Sequence, residues 1–212
     1  MLLLLPLILA CWCFYKRDLH LIPVIFTGLI SAVLICGFRA FFLYSHRVIP
    51  YSFEMNMLYL LLRQTLLPII VLYGVFFLVS KDEISYKVEA LFPLLISFYL
   101  LYLPYTILSG VDHIISTFPL FIKPVLFTVM IFSLGLSAKH IEKTIRAKKY
   151  FFASLWIIIA LISIVFPSVV ETMYILDMSY FLILVFSGAF SATLPVLFIL
   201  SRLGVFTVRD KE

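Results

Sequence analysis

A chain of 212 residues that is 64% hydrophobic and 13% charged, with a mean hydropathy of +1.18, carries more apolar surface than a soluble globule can hide, since a soluble domain is about 45–50% apolar and about 25% charged. The length is that of one domain and no hydrophilic stretch is long enough for a second, so residues 1–212 read as a single polytopic membrane domain. The net charge of +5 does not point to nucleic acid, because the basic residues sit in short segments between apolar runs, where orientation in a bilayer accounts for them.

Seven apolar runs approach the roughly 20 residues a membrane helix needs: approximately 2–15, 21–44, 57–79, 88–108, 114–138, 151–170 and 178–200. The fold class is therefore all-α, a polytopic integral membrane helix bundle of about seven spans. The first run is short and ends at Lys16 and Arg17; six spans remain if it does not cross. Within it, Ile8-Leu9-Ala10-Cys11 loosely resembles a lipoprotein cleavage box, but no basic residue precedes the apolar run, as a signal peptide requires. The second run carries Gly28, Ala32 and Cys36 at four-residue spacing, a small-residue stripe that predicts close approach of another helix.

Runs three and four are joined by a mixed segment with Lys81, Asp82, Glu83 and Lys87, which reads as water-exposed. Pro119 and Pro124 in the fifth run each remove a backbone donor and predict a kink or an interruption. The last run holds Ser187-Gly188 and Ser191-Ala192, a second small-residue stripe expected to pack tightly on a neighbour. Cys11, Cys13 and Cys36 all lie inside apolar runs and are odd in number, so neither a disulfide framework nor zinc spacing follows.

Orientation comes from residues 137–150, a strongly basic loop holding Lys139, Lys143, Arg146, Lys148 and Lys149, and such a loop stays cytoplasmic. Alternation from that point puts 12 of the 16 Lys and Arg in inside segments and Arg47 alone in an outside loop. Seven spans then place the N-terminus outside and the C-terminus in the cytoplasm, in a cell inner (cytoplasmic) membrane.

The other three cations, Arg39, Arg63 and Lys123, fall within apolar runs. A charge near the bilayer centre costs about 2.5–3.5 kcal/mol on insertion scales, so each needs compensation. The topology places all three in the outer half. Snorkelling to the interface is one solution; pairing with an outer-end acid (Glu54, Asp112, Glu171 or Asp177) is a second; joint binding of an anionic group is a third. Asn56 and Tyr59 precede Arg63 by seven and four residues and share its helix face. Tyr102 and Tyr105 lead along the fourth run to Asp112 and His113; an interfacial aromatic belt is the first reading of such tyrosines and a binding site the second. His20 and His140 lie beside basic residues and read as solvated or facing headgroups.

The substrate-binding set expected from these residues is Arg39, Arg63, Lys123, Tyr102, Tyr105, Asp112, His113 and Glu171. No metal spacing, nucleotide loop or nucleophile elbow occurs in the sequence, so neither a cofactor nor a metal is expected. The leading functional expectation is a small transport or permease component that binds an anionic solute or lipid headgroup through the basic cluster, with membrane lipids and a partner membrane or ATPase subunit as its associates. An enzyme acting on a lipid-linked substrate, with His113, Asp112 or Glu171 handling protons, comes second. A structural subunit of a membrane complex, its cations paired internally, comes third.

Overall fold

The structure, a computed structural model, describes residue 8 and residues 22–42, 52–79, 84–108 and 117–203. Its elements are α1 (Ile22–Phe42), α2 (Phe53–Leu60), a π turn (Leu61–Leu66), α3 (Leu67–Val79), α4 (Ile84–Leu108), a second π turn (Phe118–Ile122), α5 (Lys123–Arg146), α6 (Tyr150–Ile175) and α7 (Tyr180–Leu203). No strand occurs among the described residues. Each π turn continues directly into the following helix, and six of the resulting rods are long and apolar enough to cross a membrane. The chain is a multi-pass helical membrane protein with six such helices in view. The first apolar run, 2–15, lies outside the described residues except for helical Ile8.

Both π turns precede a proline. Pro68 follows the first by two residues, and Pro124 follows the second by two. A proline has no N–H to give and its ring crowds the carbonyl four residues back, so the ladder relaxes to wider spacing ahead of it. Accordingly the N–H of Leu67 bonds Leu62 and that of Lys123 bonds Phe118, each five residues back. The interruption expected at Pro119 and Pro124 is thus a π turn within a continuous rod.

The interior is formed by α4 and α5, whose buried residues include Leu94, Phe98, Tyr99, Met130 and Ile131. Against α4 lies α1, and the stripe predicted on it is the contact: Ala32 is fully buried, and a Cβ added at Gly28 would stand 2.7 Å from the Leu94 carbonyl oxygen and 2.0 Å from Ser97 Oγ. The backbone of α1 approaches α4 this closely because residue 28 has no side chain. The second stripe behaves differently. Ser187 is buried, but Gly188 and Ala192 are exposed and nothing lies within 4 Å of an added Gly188 Cβ. Ser187 and Ser191 instead bond carbonyls of their own helix, at 2.6 and 2.8 Å.

Two short turns make α5, α6 and α7 an antiparallel trio. Each turn closes its helix with paired carbonyl bonds: Lys148 and Lys149 reach back to Ile145 and Thr144, and Asp177 and Met178 reach back to Tyr174 and Met173. This geometry needs a left-handed residue at the first position past the cap, normally glycine. Here it is Lys148 (φ 57°) and Asp177 (φ 50°).

The basic stretch expected as a loop is mostly helix, since α5 runs to Arg146 and only Ala147–Lys149 turn. Its Lys, Glu, Arg and Ala residues are good helix formers, and Arg146 pairs with Glu142 at 2.7 Å one turn earlier. The helix carries His140 inward. Far from being solvated, His140 is buried, stacked on Trp156 with ring centroids 4.4 Å apart, and 2.7 Å from Ser201 Oγ. Lys87 likewise is no exposed loop residue. It is buried in the first turns of α4, its Nζ donates to the Phe77 carbonyl at 3.1 Å, and it lies 4.3 Å from the Phe77 ring centre.

Candidate functional site

The end of the bundle opposite the Ala147–Lys149 turn holds the three intramembrane cations, and all three gather about the first π turn. Pro68 is the local cause. In an α-helix the N–H of residue 68 would bond the Gln64 carbonyl, and in a π turn it would bond that of Arg63; proline supplies neither. Those are the two carbonyls that accept hydrogen bonds from α4. The Tyr99 hydroxyl donates to Gln64 at 3.1 Å, and the Tyr102 hydroxyl donates to Arg63 at 2.9 Å. In a membrane-spanning helix, backbone groups released by a proline must find partners inside the protein. Here two buried tyrosines provide them.

Tyr102 does a second job. Its hydroxyl also accepts from Nη1 of Arg39 on α1, whose guanidinium carbon lies 5.3 Å from the Tyr102 ring centre and 5.9 Å from that of Tyr105. The tyrosines are therefore not an aromatic belt: Tyr102 is 1% exposed and stacks on Phe98, while Tyr105 is half-buried beside Arg39. Arg63 follows the snorkelling geometry along its own helix, donating to the hydroxyl of Tyr59 one turn away and lying over that ring at 5.3 Å. Asn56 turns inward from the same helix and bonds the Ser52 carbonyl at 3.1 Å.

Lys123 takes the pairing solution. Its Nζ lies 2.7 Å from Oε1 of Glu171 on α6, and both side chains are buried. Gln64 Nε2 donates to the same oxygen at 3.0 Å. One carboxylate thus joins α5, α6 and the π turn, and Gln64 sits in sequence directly beside Arg63. Of the other expected acids, Glu54 and Asp177 are exposed, while Asp112 and His113 lie outside the described residues. Among the described residues no group of three His, Cys, Asp or Glu is disposed to hold a metal ion.

The two guanidiniums differ from the lysine in what they leave unmatched. Neither Arg39 nor Arg63 meets a carboxylate among the described residues, and the Nε of each is buried without an acceptor there. Gln64 Oε1 is buried and without a partner among the described residues as well. Two guanidiniums flanking Tyr102 with donors to spare are suited to a carboxylate or phosphate, which accept from arginine in a planar, often bidentate manner. Sequence reasoning missed Gln64 and Tyr99. Their signals were a lone amide four residues before a proline inside an apolar run, and tyrosines at 99, 102 and 105 in steps of three.

Compared with known proteins, the chain matches no family model, no curated protein and no solved structure.

Proposed function

We propose that the chain is a small membrane transport or permease component that receives an anionic group, carried by a solute or a lipid headgroup, between Arg39 and Arg63. The observation behind this reading is the pair of buried Nε groups without acceptors among the described residues, in a site where the third cation is already neutralised by Glu171. Tyr102 and Tyr105 flank the Arg39 guanidinium. Lys123 and Glu171 hold α5 against α6, and the Gln64 donation to Glu171 fixes the π turn that presents Arg63. Movement between states would bend the α5 rod at its π turn, because local π segments are where helices accommodate functional strain.

In this reading the Ala147–Lys149 turn and the C-terminus face the cytoplasm of an inner membrane, and the run 2–15 is a seventh span with the N-terminus outside. A reporter fused after Glu212 is expected to read cytoplasmic, and an external signal overturns the orientation. The site is tested by native mass spectrometry of protein released gently from its own membrane. An anionic small molecule or lipid bound to wild type and lost in both Arg39→Gln and Arg63→Gln is the expected result. Retention in both variants refutes the site. The Lys123–Glu171–Gln64 junction favours a second reading, a packing subunit of a membrane complex; a stoichiometric partner chain with no bound anion would support it.

A further inference from the structure

A groove of about 500 Å³ opens between α4, α5 and α7, at the other end of α5 from the cation cluster. Its volume is within the usual range of about 300–1,000 Å³ for small-molecule sites. Phe132, Gly135 and Lys139 line it from α5, spaced three and four residues apart and so on one face. Phe92 closes one side, its ring 4.8 Å from that of Phe132, and Leu194 and Phe198 of α7 close the other. Gly135 keeps the floor low, since a Cβ there would lie 3.3 Å from Phe92 and would press on it.

Lys139 is the only polar side chain among the described residues of this lining. It is exposed, has no carboxylate partner among the described residues, and begins the basic segment that continues through Lys143, Lys148 and Lys149. The groove thus joins an apolar channel within the span to a cation at the membrane boundary. From the structure we infer that this groove holds an anionic phospholipid, one acyl chain lying along Phe132 and Gly135 and the phosphate meeting Lys139. The occupant follows from the charge and the shape together: burial of each CH2 favours the chain, and a basic residue near the surface attracts the anionic headgroup. Lys139 is about 24 Å along α5 from Lys123 at 1.5 Å per residue, so this site is separate from the Arg39–Arg63 pair.

The test is native mass spectrometry of delipidated, detergent-solubilised full chain titrated with an equimolar mixture of phosphatidylglycerol and phosphatidylcholine. Wild type should retain phosphatidylglycerol in preference by about fivefold, the worth of one lysine near an anionic surface. Lys139→Gln, an exposed change that leaves the helix intact, should equalise the two lipids, and Leu136→Trp, which fills the groove, should lower retention of both. The Lys139→Gln comparison is made in the Arg39→Gln background, which removes the anion site proposed at the opposite end of the bundle, so that the groove is read alone. No headgroup preference in wild type, or a preference that survives Lys139→Gln, overturns the proposal. A preference present in wild type and absent from the Arg39→Gln background also overturns it and assigns the lipid to the opposite end.

Discussion

Lys123 and Glu171, 48 residues apart in sequence, meet at 2.7 Å in the bundle interior, with Gln64 at 3.0 Å from the same carboxylate oxygen. Removing one partner of such a pair strands a buried charge, at about 3–5 kcal/mol, whereas replacing both by apolar groups is often close to neutral. Lys123→Met is therefore expected to lower stability by that amount in SDS-induced unfolding from mixed micelles. Lys123→Met combined with Glu171→Leu should recover most of the loss. A stable, normal Lys123→Met protein would remove the pair from any account of this fold.

Pro68 and the tyrosines of α4 should be thermodynamically coupled. Tyr99→Phe deletes the donor to the Gln64 carbonyl and is expected to cost about 1–3 kcal/mol by leaving a buried acceptor unmet. In a Pro68→Ala background the new N–H at position 68 can serve that carbonyl, and the same Tyr99→Phe change should cost less. A double-mutant cycle on unfolding free energy measures the difference, expected at about 1 kcal/mol. Strict additivity would show that the proline and the tyrosine act independently.

Gly28 is the point of closest approach between α1 and α4. Gly28→Ala places a methyl 2.7 Å from a backbone oxygen, which no rotamer change relieves. Overpacking of this kind costs about 1–3 kcal/mol. Thermal unfolding in detergent should show the loss, and trimming Ser97 to Ala should recover only part of it, because the Leu94 carbonyl stays in place.

The cap at Lys148 offers a change in the opposite direction. A residue other than glycine in the left-handed region costs about 1–2 kcal/mol, partly offset because glycine loses more backbone entropy on folding. Lys148→Gly is expected to raise the unfolding free energy by somewhat under about 1 kcal/mol. Asp177→Gly should give a smaller gain, since Asp tolerates this conformation better. Differential scanning calorimetry of the two variants checks both sign and order.

Apolar length carried most of the architecture: runs two to seven correspond to helices, and several helices continue beyond their run where polar residues such as Glu54, Lys87 and Lys143 keep the helical pattern. The three cations were legible as costly charges, and Glu171 was among the four acids named for them. Choosing Glu171 over Glu54 or Asp177 required knowing which faces of α5 and α6 meet, and hydropathy does not encode helix rotation. His140 was misread for the same reason. Its neighbours Lys139 and Lys143 are exposed while it points inward, because adjacent residues on a helix lie about 100° apart.

The π turn at Leu61–Leu66 also sets the rotational phase of its rod. Asn56, Leu60, Gln64, Pro68, Leu72 and Phe76 are all buried, a spacing of four that on an unbroken α-helix drifts by about 40° per step. The wider turn absorbs drift amounting to roughly one residue, or about 100°, so the buried row continues from α2, which packs on α6, into α3, which packs on α1 and α4. Deleting a single residue from 61–66 would restore an ordinary helix and swing α2 away from α6, whereas the same deletion in the exposed turn at Ala147–Lys149 would shorten a connector. Tolerance to one-residue deletions should therefore map phase along this chain more sharply than tolerance to substitutions does.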